Sequence, residues 1–305
     1  MKFSTTKQRI LLSPVSVGFL FALGSAALFA IRPIFVKLVY AQGVDPTTLI
    51  AFRMLFSMPI YVLLLLFFLM NKEQRAKLNI RNIGATCAIG MLGYYAASFL
   101  DLLGLQYVTA QLGRMILYVY PTFVVLLGAA FFQKPINKST VFALGFTYLG
   151  VAIIFGHDFT QFGGDVILGG AFILASALTF SFYLLFSKSL ITEIGSKIFT
   201  CIALIAASTG ILLHYSITHS ITSPEVNNHA LWLILVIAIF CTVIPTFFTT
   251  AAVVRIGADR TGIVAMVGPA FTSVFAVIIL GEAFTVYHLI GIVVTIAGVL
   301  LLKKS

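Results

Sequence analysis

The chain has 305 residues, of which 60% are hydrophobic and only 9% charged, and its mean hydropathy is +1.10. Soluble globular domains do not have this composition; it is that of an integral membrane protein. The net charge of +10 does not point to a nucleic-acid binder, because the basic residues form no aromatic-interleaved patch on a folded soluble domain.

A helix needs about 20 apolar residues to cross the hydrocarbon core. Runs of this kind recur along the whole chain and predict ten transmembrane helices: Val15–Tyr40, Pro46–Met70, Asn82–Gly104, Thr109–Phe132, Thr140–Phe155, Val166–Ser187, Ile198–Tyr215, Ala230–Val254, Gly262–Leu280 and Val286–Leu302. The first run is too long for a signal-peptide core and no small-residue cleavage pattern follows it, so it is predicted to stay as a membrane helix. It ends in "GSAALFAIRPIFVKLVY", with Arg32, Pro33 and Lys37 inside an apolar stretch. The second run carries Arg53 and Pro59. The third places Tyr94, Ser98 and Asp101 on one helical face, and the fourth does the same for Arg114, Tyr118 and Pro121. The fifth is short, at about 16 residues, within what local bilayer thinning tolerates. The sixth aligns Ser176, Thr179 and Tyr183, and the eighth, opened by the single tryptophan Trp232, aligns Thr242, Pro245, Thr246 and Thr249. The ninth contains Pro269. Gly291, Thr295 and Gly298 on the last run form a small-residue packing stripe.

The Lys and Arg residues orient these runs. Fifteen of the 19 fall on one side: Lys2, Lys7, Arg9, Lys72, Arg75, Lys77, Arg81, Lys134, Lys138, Lys188, Lys197, Arg255, Arg260, Lys303 and Lys304. The other four, Arg32, Lys37, Arg53 and Arg114, lie inside runs. Asp45, Asp158, Asp165, Glu225 and Glu282 sit on or near the opposite side. The positive-inside rule then predicts a multi-pass protein of the cell membrane with both termini cytoplasmic. Contact with anionic lipid accounts for the net charge without a polyanionic partner.

Two registers reveal an internal repeat. Laying Lys37 on Lys188 matches Leu23/Leu174, Ser25/Ser176, Ala26/Ala177, Phe29/Phe180 and Phe35/Phe186, and laying Pro121 on Pro269 matches Ala110/Ala258, Val119/Val267, Phe123/Phe271 and Gly150/Gly298. The two offsets differ by three residues. With five runs per half, the second half must be inverted, an arrangement used by secondary transporters. The predicted halves are 15–156 and 165–302, and the predicted fold is an all-α integral membrane protein of ten transmembrane helices in two inverted five-helix repeats.

The residues that carry a family resemblance are now in view: "GSAALFAIRPIFVKLVY", "DPTTLIAFRMLF", "LGLQYVTAQLGRMILYVYPTF" and the C-terminal "AVVRIGADRTGIVAMVGPAFTSVFAVIILGEAFTVYHLIGIVVTIAGVLLL". From Val15 to Leu302 the chain resembles the ten-helix EamA-type permeases of the drug/metabolite transporter superfamily. The resemblance implies export or uptake of amino acids or other small metabolites. It also implies a Gly-Glu after the fourth span. That pair reads Gln133-Lys134 here and is kept only as Gly281-Glu282, and Arg32 replaces an uncharged residue.

By helical rise, Arg32 and Arg53 lie about 7 Å outward of their helix midpoints, and Asp101 and Arg114 at about 12 and 10 Å on the same side. A charge at this depth costs at least about 2.5–3.5 kcal/mol on insertion scales, so three Arg and one Asp need partners, water or a ligand. One reading pairs Asp101 with Arg114 as a structural hairpin contact or outer gate and lets Arg53 cap carbonyls or face water. The other leaves Arg32 and Arg53 uncompensated toward a hydrated cavity, awaiting a carboxylate or phosphate. On that second reading Arg32, Arg53, Tyr94, Ser98, Tyr118, Tyr183 and Thr246 are the substrate-binding candidates, with Asp101 and Arg114 as the gating pair. The hydroxyl stripes can equally bond carbonyls of their own or neighbouring helices. Lys37, near a helix end, is expected to snorkel.

A membrane-embedded enzyme would need a nucleophile with a base, or clustered metal ligands, at membrane depth. His157, His214, His219 and His229 lie in or beside outer loops and His288 starts the last run. Cys87, Cys201 and Cys241 lack ligand spacing. No catalytic residue, metal or cofactor is therefore expected, and neither a pore motif nor a ligand-binding receptor domain is visible. The expected partners are a small anionic or zwitterionic solute and the lipid bilayer, with no nucleic acid; a homodimer is compatible with the sequence.

Overall fold

The computed structural model describes residues 14–133, 138–219 and 226–304. Lys2, Lys7, Arg9, Lys134, Glu225 and the side chains of Lys303 and Lys304 lie outside them. The described residues form helices and no strand. In chain order these are α1 (Pro14–Ala30), α2 (Arg32–Tyr40), α3 (Pro46–Leu69), α4 (Lys72–Ala76), α5 (Ile80–Gly90), a π-helical segment (Met91–Ala96), α6 (Ala97–Leu105), α7 (Ala110–Leu117), α8 (Tyr120–Phe132), α9 (Lys138–Phe162), α10 (Asp165–Ile194), α11 (Ser196–Thr218), α12 (Asn228–Ala238), a second π segment (Ile239–Val243), α13 (Ile244–Ala265), α14 (Gly268–Phe275), a third π segment (Ala276–Leu280) and α15 (Val286–Lys304).

Seven helices among these residues are long and apolar enough to cross a membrane: Val15–Tyr40, Pro46–Leu69, Ile80–Leu105, Ala110–Phe132, Asp165–Ile194, Ser196–Thr218 and Asn228–Gly257. Gly268–Leu280 and Val286–Gly298 are shorter apolar helices. The side-chain distribution is that of a bilayer protein. Leu63, Phe67, Phe142 and Ile217 are exposed, while Arg53, Ser57, Thr86, Asp101, Ser176, Ser181 and Ser208 are buried, so polar groups face one another and leave the apolar surface to lipid.

Prolines punctuate the helices as the sequence suggests, with one exception. Ile31 breaks the first span just before Pro33, and the breaks before Pro121 and Pro269 have matching geometry, with φ and ψ of −74° and −14° at Val119 and −73° and −10° at Val267. Pro59 sits inside an unbroken α3. Each break exposes carbonyls that need donors. Thr272 Oγ1 donates to the carbonyl of Ala30 at 2.9 Å, and the Tyr118 hydroxyl donates at 2.6 Å to that of Ala265, four residues before the hydrogen-less Pro269 nitrogen.

Similar contacts recur at the spacings of the two sequence registers. Ser25 Oγ donates to the Pro245 carbonyl at 2.9 Å, and Ser176 Oγ to the Ala97 carbonyl at 2.7 Å. Gly18 packs on Arg255 and Ile256, and Gly169 on Tyr107 and Val108, close enough that an added Cβ would collide in either place. All donors here follow the register of Lys37/Lys188 and all acceptors that of Pro121/Pro269. The first two π segments also begin at equivalent positions, as do α9 and α15, and Gln133 and Gly281 both end their helices in left-handed conformation. Thr147 and Thr295, 148 residues apart, meet where α9 packs antiparallel on α15, Thr295 Oγ1 lying 3.5 Å from the Thr147 carbonyl.

Connections 41–45, 106–109, 163–164, 226–227 and 281–285 gather at one end of the bundle, shown by Asn227–Gln42, His219–Asp45, Ala110–Glu282 and Thr109–Asp158 contacts. Here lie Asp45, Asp158, Asp165 and Glu282. The opposite end carries Lys72, Arg75, Lys77, Arg81, Lys138, Lys188, Lys197, Arg255 and Arg260. Helix α9 is longer than the run Thr140–Phe155 predicts, because Asp158 is satisfied inside the protein and does not terminate the helix.

Candidate functional site

Pro33 determines where the site begins. By breaking the first span at Ile31 it starts α2 at Arg32, and Tyr40, whose hydroxyl donates to the Leu102 carbonyl at 2.8 Å, ties α2 to α6. This lateral contact sets Arg32 Nη2 on Asp101 Oδ2 in a hydrogen-bonded ion pair. The expected Asp101–Arg114 pair is therefore not the one formed. Depth along the helices places Asp101 nearer Arg114; the packing of α2 on α6 gives it to Arg32 instead.

Arg114 instead lays its guanidinium over the Tyr118 ring, 5.3 Å from the centroid, a cation–π contact within its own segment. Its Nε is buried without a hydrogen-bond partner. It still belongs to the same locus, since Arg32, Pro33, Asp101, Leu105, Gly113, Arg114 and Leu117 line one small cavity.

Arg53 is 2% exposed, and its side chain makes no hydrogen bond among the described residues; its Nε is buried and unpartnered. It lies within electrostatic reach of Arg32, Asp101, Tyr40 and Tyr61, and Cys241 of the second π segment is within reach of both arginines. Asp101 offsets one charge. With Arg32, Arg53 and Arg114 present, the locus retains two positive charges in a setting where an unpaired charge is costly.

The other candidates separate into two groups. Tyr94 and Tyr183 meet, with hydroxyls 2.9 Å apart and ring centroids 5.1 Å apart in edge-on contact. Gly93 allows this approach, since a Cβ there would stand 2.3 Å from the Tyr183 ring. Tyr118, by contrast, uses its hydroxyl on the Ala265 carbonyl. Thr246 and Thr242 donate to carbonyls of their own helix, as does Thr179, and Thr249 meets Ser25 at 2.7 Å. Ser98 is half-buried with no hydrogen bond among the described residues.

Two features escaped the sequence. Arg53, Ser57 and Tyr61 form a fully buried polar stripe on α3; their i, i+4, i+8 spacing was the available signal. His157, Asp158 and His288, distant in sequence, are brought together at the acidic end of the bundle, so the expectation that no histidines cluster does not hold.

Comparison with known proteins decides the family. The model of the EamA-like transporter family matches this chain twice, over residues 16–156 and 167–303. The chain belongs to the EamA-like transporter family. Relatives of this EamA transporter include the uncharacterized transporter YcbK of Bacillus subtilis, 26% identical over 90% of this chain and 89% of the relative, and an uncharacterized transporter of Vibrio cholerae, 25% identical over 88% and 85%. A solved crystal structure superposes with a TM-score of 0.63 at 14% identity, covering 93% of this chain and 96% of the other, which establishes a shared fold. The EamA assignment and the apolar helices identify a multi-pass membrane transporter rather than an enzyme.

Proposed function

We propose that this EamA transporter moves a small carboxylate-bearing metabolite, an amino acid or another anionic or zwitterionic solute, across the cell membrane by alternating access. Its moving parts are two inverted five-helix halves, 15–156 and 165–302, together making ten membrane spans with both termini cytoplasmic. The equivalent Ser25–Pro245 and Ser176–Ala97 bonds support the two halves, and the segregation of Lys and Arg to one end supports the orientation.

The observation that carries the substrate class is Arg53: a buried guanidinium with no hydrogen-bonded anion, beside an Arg32 already held by Asp101. An incoming carboxylate supplies what Arg53 lacks and competes with Asp101 for Arg32. Asp101 thus occupies Arg32 when no substrate is bound and is released when one arrives. Breaking this pair uncouples α2 from α6, which is the rearrangement an opening at that end requires. Tyr94 and Tyr183, one from each half, meet across the interface of the two halves, where a closing contact belongs.

The test is transport into or out of vesicles loaded with candidate amino acids and carboxylates. Arg53→Gln and Arg32→Gln abolish carboxylate transport at unchanged expression. Transport that survives both changes rejects the anion site while leaving the family assignment intact.

A further inference from the structure

Where α9 finishes and α15 begins, His157 Nδ1 lies 3.2 Å and His288 Nε2 3.5 Å from one carboxylate oxygen, Asp158 Oδ1. The three potential ligand atoms fall within 4.8 Å of one another. Tetrahedral zinc with bonds of about 2.0–2.1 Å holds its ligand atoms roughly 3.3 Å apart, so two edges of such a site are already in place. We propose that His157, Asp158 and His288 bind a divalent transition cation of the Zn2+ class, at a site separate from the arginine cluster and independent of the substrate proposed above.

The surrounding groups fit this assignment. Asp158 Oδ2 accepts a hydrogen bond from Thr109 Oγ1 at 2.9 Å, which leaves Oδ1 to the two imidazoles. His288 Nδ1 lies 2.9 Å from Thr285 Oγ1 and accepts from the Thr285 amide at 3.3 Å, contacts that hold the imidazole with Nε2 toward Asp158 Oδ1. These are the outer contacts that orient metal ligands. Asp158 and His288 are buried, whereas the His157 side chain is 15% exposed and borders a cleft of about 540 Å³. The cleft offers entry and a fourth position for water. Two imidazoles with one carboxylate favour zinc-like ions over Mg2+ or Ca2+, which prefer all-oxygen sites.

The position gives binding a consequence. His157 and Asp158 belong to α9 and His288 to α15, while Thr109 caps α7 by accepting from the Leu112 amide. A cation held here staples α9 to α15 and draws the start of α7, the helix that carries Arg114, into the same assembly.

Untagged full-length protein in detergent, titrated with Co2+ and then Zn2+, tests this. Wild type should develop the visible d–d absorption of four-coordinate Co2+, lose it to Zn2+, and unfold at higher temperature with Zn2+ present. His157→Ala and His157→Gln, which alter the most exposed ligand, should weaken Co2+ binding at least about tenfold, since even outer-shell partners are worth about 10–100-fold. Absence of the band in wild type, or equal Co2+ affinity in wild type and both variants, overturns the site.

Discussion

Arg32 and Asp101, 69 residues apart, form the ion pair that joins α2 to α6, and among the described residues Asp101 is the acidic partner near three arginines. Removing the carboxylate is therefore harsher than removing the guanidinium. Asp101→Asn leaves Arg32 and Arg53 both uncompensated, and breaking a buried pair from one side costs about 3–5 kcal/mol. Asp101→Asn should lower the unfolding temperature in detergent more than Arg32→Gln does. The double variant should recover part of the loss, giving a non-zero coupling energy in a double-mutant cycle; strict additivity refutes the pair.

Arg53 has the opposite balance. Its guanidinium is buried, its Nε has no partner, and nearby Arg32 repels it. Even replacing a buried ion pair by apolar side chains of similar volume can stabilise a protein by about 1–4 kcal/mol, and a buried charge without a hydrogen-bonded partner has less attraction to lose. Arg53→Met should raise the unfolding temperature while abolishing carboxylate transport, as expected for a residue kept for function. A fall in stability would mean that Arg53 holds the fold together.

Tyr118 looked like a cavity residue in the sequence, but its hydroxyl serves the Ala265 carbonyl left free by Pro269. Tyr118→Phe removes that donor, and the net loss of one hydrogen bond costs about 0.5–1.5 kcal/mol. We expect a lower unfolding temperature with substrate affinity unchanged. Gly268→Ala should act on the same contact, because a Cβ there would lie 2.3 Å from the Tyr118 hydroxyl oxygen. A change in affinity without a loss of stability would return Tyr118 to the binding site.

Much of this architecture was legible because membrane helices declare themselves by composition, and because prolines and small residues recur along the chain at a near-constant spacing. The register of Lys37/Lys188 pairs Ser25 with Ser176, and the carbonyls these two hydroxyls bond, Pro245 and Ala97, are spaced by the register of Pro121/Pro269. What helical rise cannot give is lateral neighbourhood. Depth put Asp101 nearer Arg114, while the α2–α6 contact awarded it to Arg32. The π segment Met91–Ala96 has no proline to announce it, although its counterpart Ile239–Val243 precedes Pro245. The His157–Asp158–His288 cluster was hidden for the same reason as the ion pair: α9 and α15 meet only in the packed structure.

Asp45 offers a titratable contact outside the spans. It caps α3 by accepting from the Thr47 and Thr48 amides at 2.8 and 3.0 Å, and His219 Nε2 stands 3.5 Å from its other oxygen. Burial pushes its pKa upward, but the hydrogen bonds to Thr48 and Thr47 and the nearby His219 outweigh this and hold it below the usual 3.8. A carboxyl with a depressed folded-state pKa contributes stability that is complete above its unfolded value and is lost as pH falls through the folded one. Wild type should therefore lose stability relative to Asp45→Asn as pH drops below about 4. Because Asp45 is partly exposed, the effect should also shrink in high salt. Unfolding temperatures of both proteins across this range measure it, and parallel pH profiles would show that the cap does not depend on the charge of Asp45.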